Sequence, residues 1–336
     1  MAAQPLLSVD GLTTSFGRGP DKVRAVADMS FDLAEGEVLA IVGESGSGKS
    51  VTMRSIMGII PMPPGVIESG TAFFDGADLL AIDQESLRRL RGKDIAMVFQ
   101  DAMTSLNPVL TVGRQITEVL EEHLGMTGKA ARDRAIALLD EVGIPDAAHR
   151  IDEYPHQFSG GMRQRAMIAL AIACGPRLLI ADEPTTALDV TIQAQIIDLV
   201  VGLQTAHDMG IVWISHDLGV VARIAQKVIV MYAGRVVERA TVEDLFDAPA
   251  HPYTIGLLAS LPRLDQEPGE HLDSIPGQPP NASSLPPGCA FAPRCPLATE
   301  TCRVKVPPVM TVGDGHQAAC HRLDEVRRRE GRLPWT

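Results

Sequence analysis

Short runs of Val, Ile and Leu alternate with amphipathic stretches over roughly the first 245 residues. Glu37–Gly43 (EVLAIVG), Arg177–Asp182 (RLLIAD) and Ile211–His216 (IVWISH) are almost wholly apolar. Such runs predict strands of a parallel sheet covered on both faces. Lys227–Ala240 (KVIVMYAGRVVERA) predicts two strands around a turn at Ala233-Gly234. Between Thr104 and Ala173 the period changes to that of a helix, and Lys129–Gly143 (KAARDRAIALLDEVG) is the clearest amphipathic stretch. The pattern predicts an α/β core carrying a helical insertion. It stops after about Pro249: Leu261–Gly288 is dense in Pro, Gly and Ser and predicts loop or linker. Four of the five cysteines follow, and a short charged tail ends the sequence.

Composition narrows the picture. A chain of 336 residues suits about two domains at roughly 150 residues each. The net charge of −12 has the wrong sign for non-specific binding to nucleic acid or to anionic lipid. The opening MAAQPLLSVDGL lacks the basic and long apolar regions of a secretory signal. Ala166–Ala181, the most apolar segment, is interrupted by Gly175, Pro176 and Arg177, whereas a membrane span needs about 20 apolar residues. The expectation is a soluble, cytosolic chain that meets a membrane only through partners.

Candidate chemistry begins at Gly43–Ser50 (GESGSGKS), which fits G-x-x-x-x-G-K-[ST] between an apolar strand and the helical stretch KSVTMRSIMGI. Gly43, Ser45, Gly46, Ser47, Gly48, Lys49, Ser50 and Val51 would wrap backbone N–H groups around phosphate oxygens at a helix N-terminus. Lys49 would neutralise the β- and γ-phosphates, and the Ser50 hydroxyl would ligate Mg²⁺. Leu178–Pro184 (LLIADEP) ends a strand in two acids. They are suited to holding Mg²⁺ (Asp182) and positioning the attacking water (Glu183). These motifs indicate a nucleoside-triphosphate site.

Between them lies Phe158–Arg165 (FSGGMRQR), followed by Ala187–Asp189 (ALD) and Ser215–Asp217 (SHD). Together the motifs resemble the nucleotide-binding subunit of an ABC transporter over about 245 residues. The resemblance implies a P-loop NTPase (RecA-like) core with an antiparallel β subdomain and an inserted helical subdomain near 101–173. It makes Gln100 the sensor of Mg²⁺ and water, His216 a γ-phosphate contact and Asp189 a dimer-interface residue. Phe16 would stack on adenine, and reads equally well as a core aromatic. Ser159, Gly160 and Gly161 open a helix, a second anion-binding surface. In the family this surface faces the γ-phosphate held by the other subunit, so that two subunits sandwich two ATP molecules. Phe158 and Met162 depart from the family's usual Leu and Gln, at positions that supply no phosphate contact.

Phe158–Ile196 and His251–Leu264 (HPYTIGLLASLPRL) further resemble ATPase subunits of dipeptide and oligopeptide importers. That resemblance implies a nucleotide-binding domain over 1–250 and an extension over 251–336. It also implies a peripheral position on the cytosolic face of a bacterial inner membrane. The partners would be a second, paralogous ATPase subunit, two permeases and an external substrate-binding protein. Gln100–Gly113 matches the loop that receives a permease's coupling helix, although Met103, Leu106 and Leu110 also suit local core. Nickel chelates and glutathione are alternative cargoes. A soluble ABC ATPase acting on nucleic acid or ribosomes fits poorly with the charge and the single cassette.

Cys289, Cys295, Cys302 and Cys320 are spaced C-x5-C-x6-C-x17-C, without the tight pairs of common zinc ribbons. A reducing compartment disfavours disulfides, and a Pro-rich segment with little core of its own suits a metal staple. A [4Fe–4S] cluster is what the resemblance implies; zinc and free thiols stay open. His316 and His321 flank Cys320 as substitute ligands or surface histidines. Cys174 reads as a small buried hydrophobe.

Overall fold

The structure is a computed structural model of the full chain, described for residues 4–19, 22–101, 105–186, 188–261, 274–329 and 333. It divides into two compact units. The first comprises Met1–Leu7, Leu33–Val38 and Phe74–Ile214. In it Ile95–Val98 pairs in parallel with Leu178–Asp182, which pairs in parallel with Gly210–Ser215. Every residue of the latter two strands is buried, which is why their sequence is continuous hydrophobe rather than alternation.

The helical insertion forms as the periodicity predicts, with helices Val112–Leu124, Gly128–Glu141, Ala147–Arg150 and Gly160–Ile172. Thr111 Oγ1 caps the first by accepting from the Arg114 amide at 3.2 Å. Gly125, at φ 65°, ends it in the left-handed conformation. Ile116, Leu120, Leu138, Leu139 and Phe158 are almost inaccessible to solvent, each burial stabilising the fold by about 1.5–3 kcal/mol. Gly113 lies so close to Ile151 that a Cβ there would stand 2.2 Å from Ile151 Cγ1.

The second unit comprises Ser8–Asp32, Leu39–Phe73 and Ser215–Thr336. Val23–Leu33, Leu7–Phe16 and Gly65–Phe74 are neighbours, in that order, in one sheet. In another, Val38–Val42 runs parallel to Lys227–Tyr232, which pairs antiparallel with Arg235–Thr241. The expected hairpin turns at Ala233 (φ 48°) and Gly234 (φ 81°), two positive φ values that suit the twist of the flanking strands.

The end of the chain departs from expectation. Instead of loop alone, His316–Ala318 pairs antiparallel with Arg235–Thr241, and Met310–Gly313 pairs with His316–Ala318. These strands are too short for a clear alternation, but Asp314-Gly315 between them is a strong hairpin signal. Nor does this region build a core alone. Phe291 packs on Tyr232, Tyr253 and His251 with ring centroids 5.2, 5.4 and 5.8 Å away. Glu238, 1% exposed, accepts the Ala250 and His251 amides at 2.7 and 2.8 Å and pairs with His316 Nε2 at 2.8 Å. Burial holds His251 down to about 4, and its Nδ1 accepts from the Tyr253 amide at 3.1 Å, capping helix Pro252–Ala259.

Candidate functional site

The phosphate-loop sequence lies in the second unit, between strand Val38–Val42 and helix Lys49–Ile56. Gly48, at φ 102°, precedes that helix and supplies no side-chain cap, so the helix start is not closed by its own N-cap residue. Gly43 is required sterically: a Cβ would stand 2.2 Å from the Met231 carbonyl oxygen. Gly46 has no neighbouring atom within 4 Å of where its Cβ would be, leaving the loop's outer face open. Lys49, 4% exposed, donates through its ammonium to the Gly43 and Glu44 carbonyls at 2.7 and 3.1 Å. Ser47 Oγ is buried without a hydrogen-bond partner in the protein.

An uncapped helix start, a buried cation and an orphaned hydroxyl in a glycine-lined loop fit a bound polyphosphate. Phe16 in this unit is half-buried and His216 is exposed. The Phe16 ring edge lies 3.2 Å from the position a Gly65 Cβ would take.

The carboxylates lie in the first unit. Asp182 is fully buried at the end of strand Leu178–Asp182. Glu183 follows at φ 48°, a conformation rare outside glycine and one that collects at functional sites. Its amide donates to the Ile214 carbonyl at 3.0 Å. Gln100 Nε2 and Thr186 Oγ1 both donate to Glu183 Oε2, at 3.0 and 3.1 Å. The structure thus brings Gln100 and Glu183 together across 83 positions, and adds Thr186, which motif reading omits. Ser159 and Asp189 each cap a helix, accepting from the Met162 and Ile192 amides at 3.3 and 2.9 Å. Met103 and Ala187 lie outside the described residues.

The four C-terminal cysteines converge and all are free thiols. The Cys289 amide donates to the Cys302 carbonyl at 2.8 Å. Cys302 Sγ lies 3.3 Å from Thr299 Oγ1, and Cys320 Sγ accepts from the Arg322 amide at 3.2 Å. Burial pushes the Cys295 thiol up to about 12 and the Cys320 thiol up to about 11, and raises that of Cys289. Among the described residues no group of three or more His, Cys, Asp or Glu is arranged to hold a metal ion, so this arrangement does not support the iron–sulfur or zinc expectation. His316 is neither a ligand nor a surface residue, being 5% exposed and bonded to Glu238. His321 Nε2 lies 3.0 Å from the Lys305 carbonyl. Cys174 is half-buried, and burial raises its thiol. Among the described residues no helix is long and apolar enough to cross a membrane.

Comparison with known proteins bears on both parts. The ABC transporter family profile matches residues 26–186, and that of the oligopeptide/dipeptide transporter C-terminal region matches residues 237–302. The chain is 52% identical over 324 residues to the dipeptide transport ATP-binding protein DppD of Escherichia coli (strain K12), covering 96% of this chain and 98% of DppD. It is 52% identical over 311 residues to the oligopeptide transport ATP-binding protein OppD of Bacillus subtilis (strain 168), covering 93% of this chain and 87% of OppD. Among solved structures, the ATP-binding cassette MJ0796, a dimer in a post-hydrolysis state bound to ADP and Pi, matches with a TM-score of 0.63. It is 27% identical, and the match covers 70% of this chain and 98% of that one.

Proposed function

Because the chain belongs to the ABC transporter ATPases, among the oligopeptide and dipeptide import ATP-binding proteins, we propose that it hydrolyses ATP to power uptake of di- and oligopeptides across the bacterial inner membrane. The observation that carries the reading is 52% identity to a dipeptide transport ATP-binding protein over an alignment that covers 96% of the chain, C-terminal region included. Residues 1–250 act as the nucleotide-binding domain and 251–336 as an importer-type extension.

In this reading the loop amides of Gly43–Val51 and the Lys49 ammonium bind and orient the triphosphate, while Phe16 meets the base. Ser50, Gln100 and Asp182 would hold Mg²⁺, which would neutralise charge developing on the phosphate oxygens. Glu183 accepts a proton from the attacking water, and Gln100 aligns that carboxylate through its hydrogen bond. His216 donates toward the γ-phosphate. Ser159, Gly160 and Gly161 offer helix amides to the nucleotide held by a second ATPase subunit, a paralogue, with Asp189 at the junction. Two permeases and an external binding protein complete the assembly, with this chain on the cytosolic face of the membrane.

A strain lacking this chain should lose uptake of labelled di- and oligopeptides and regain it on complementation. Unchanged uptake, in the absence of a second peptide importer, would refute peptides as cargo.

The likeness of the C-terminal region to that of oligopeptide and dipeptide transporters, rather than the thiol geometry, motivates a second, structural proposal: that Cys289, Cys295, Cys302 and Cys320 hold a metal centre. No step of the reaction passes through it. Anaerobically purified protein should carry about four irons and four sulfides per chain. One zinc without sulfide would replace the cluster, and a metal-free chain with five titratable thiols would end the metal reading.

A further inference from the structure

Glu44, the second residue of the phosphate loop, is held at every polar atom by another part of the same unit. Its amide donates to the Tyr253 hydroxyl at 2.9 Å, across 209 positions. Its carbonyl accepts from the Ser47 amide at 3.2 Å and from Lys49 Nζ at 3.1 Å. Both carboxylate oxygens accept from Arg294 Nη1, at 3.0 and 2.9 Å, across 250 positions.

Arg294 is itself immobilised. Its Nε donates to the Pro276 carbonyl at 3.0 Å, its Nη2 to the Ile275 carbonyl at 3.3 Å, and its Nη1 also reaches the Tyr232 hydroxyl at 3.3 Å. The guanidinium lies 5.9 Å from the Tyr232 ring centroid, and the side chain is only 7% exposed. Burial also pushes the Tyr253 phenol up, so it stays a neutral hydroxyl able to accept the Glu44 amide. A surface ion pair would contribute little. Here the arginine is buried, one of its nitrogens reaches both carboxylate oxygens and the guanidinium is anchored on two carbonyls, which makes the partly buried pair a geometric constraint.

We propose that Arg294 and Tyr253 are positioning residues for the phosphate loop: they clamp Glu44, so that the C-terminal segment sets how tightly the chain binds nucleoside triphosphate. The proposal rests on the reading of Gly43–Ser50 as the ATP site. Its logic is local. The residue that Tyr253 fixes through its amide also holds Lys49 through its carbonyl, so release of Glu44 loosens the loop and one of the carbonyl contacts of its cation. Arg294 stands next to Cys295 in sequence, which ties the order of the cysteine segment to that of the cradle.

The test is titration of the full-length chain with trinitrophenyl-ATP and Mg²⁺, with the melting temperature measured alongside. Arg294→Met should weaken binding about tenfold, and Arg294→Lys should recover only part of the loss. Glu44→Gln should weaken binding similarly, and the double variant Glu44→Gln/Arg294→Met should be no worse than Arg294→Met alone, because the two act as one unit. Tyr253→Phe keeps the packed ring and removes only the hydroxyl; it should weaken binding about threefold to tenfold even if Arg294→Met fails to fold. Tight binding by folded Arg294→Met and Tyr253→Phe, whatever their melting temperatures, overturns the clamp alone, as do additive losses in the double variant. A wild-type chain that binds no nucleotide overturns the clamp and the ATP-site reading together.

Discussion

Glu183→Gln in the assembled transporter should retain ATP binding while lowering kcat by about a thousandfold or more. The substitution is nearly isosteric, and the surrounding geometry explains why the two functions separate. The backbone at residue 183 is held by the hydrogen bond its amide donates to the Ile214 carbonyl, and its side-chain oxygen takes two donors, Gln100 and Thr186. A glutamine carbonyl can accept those same donors, so the loop should keep its shape and the phosphate contacts their place. What disappears is the negative charge that accepts a proton from water as the bond to the γ-phosphate breaks. Steady-state phosphate release together with nucleotide retained after gel filtration reads both quantities. Wild-type phosphate release by the variant would remove Glu183 from its assigned role. Weakened binding with unchanged kcat would make it a ground-state contact instead.

Much of the fold was legible in the sequence where the chain repeats a local rule. Leu178–Asp182 and Gly210–Ser215 are buried on both faces, so their residues are hydrophobic without a break. The Ala233-Gly234 turn announces a hairpin through Gly234, whose positive φ suits glycine, even though Ala233 beside it also adopts a positive φ. The phosphate loop is legible for the same reason: Gly43 and Gly48 stand where Met231 and Ala25 leave no room for a Cβ, and Lys49 follows at the helix start. These are constraints within a few residues, and they leave a spacing behind.

The contacts that join distant segments leave none. Arg294 is one basic residue in a Pro-rich stretch and Glu44 one acid among glycines; nothing periodic connects positions 250 apart. His316 resembles a surface histidine beside a cysteine until Glu238, itself a lone acid in a strand, is found paired with it. The hairpin at Asp314-Gly315 had a local signal, but strands of three and four residues give too little alternation to weigh against the surrounding loop composition. The cysteines mark the opposite case. Their clustering near the end of the chain is plain in the sequence, while the arrangement of their sulfurs depends on packing against Thr299, Arg322 and Phe291, which spacing does not encode.

The central claim is that the chain binds ATP through the cradle around Lys49, and equilibrium titration of wild-type protein and Lys49→Ala with Mg²⁺-ATP tests it most directly. Lys49 is buried and donates to the loop carbonyls of Gly43 and Glu44. Alanine is a strong helix former at this helix start, so the variant should fold, which its melting temperature checks. It removes the one cation lying inside the loop, and a charge-assisted contact to phosphate lost from a partly desolvated site should weaken binding by about a hundredfold. Saturable binding by the wild type with that loss in Lys49→Ala is the result expected. Equal affinity in the two proteins, or no binding by a folded wild-type chain, would contradict it.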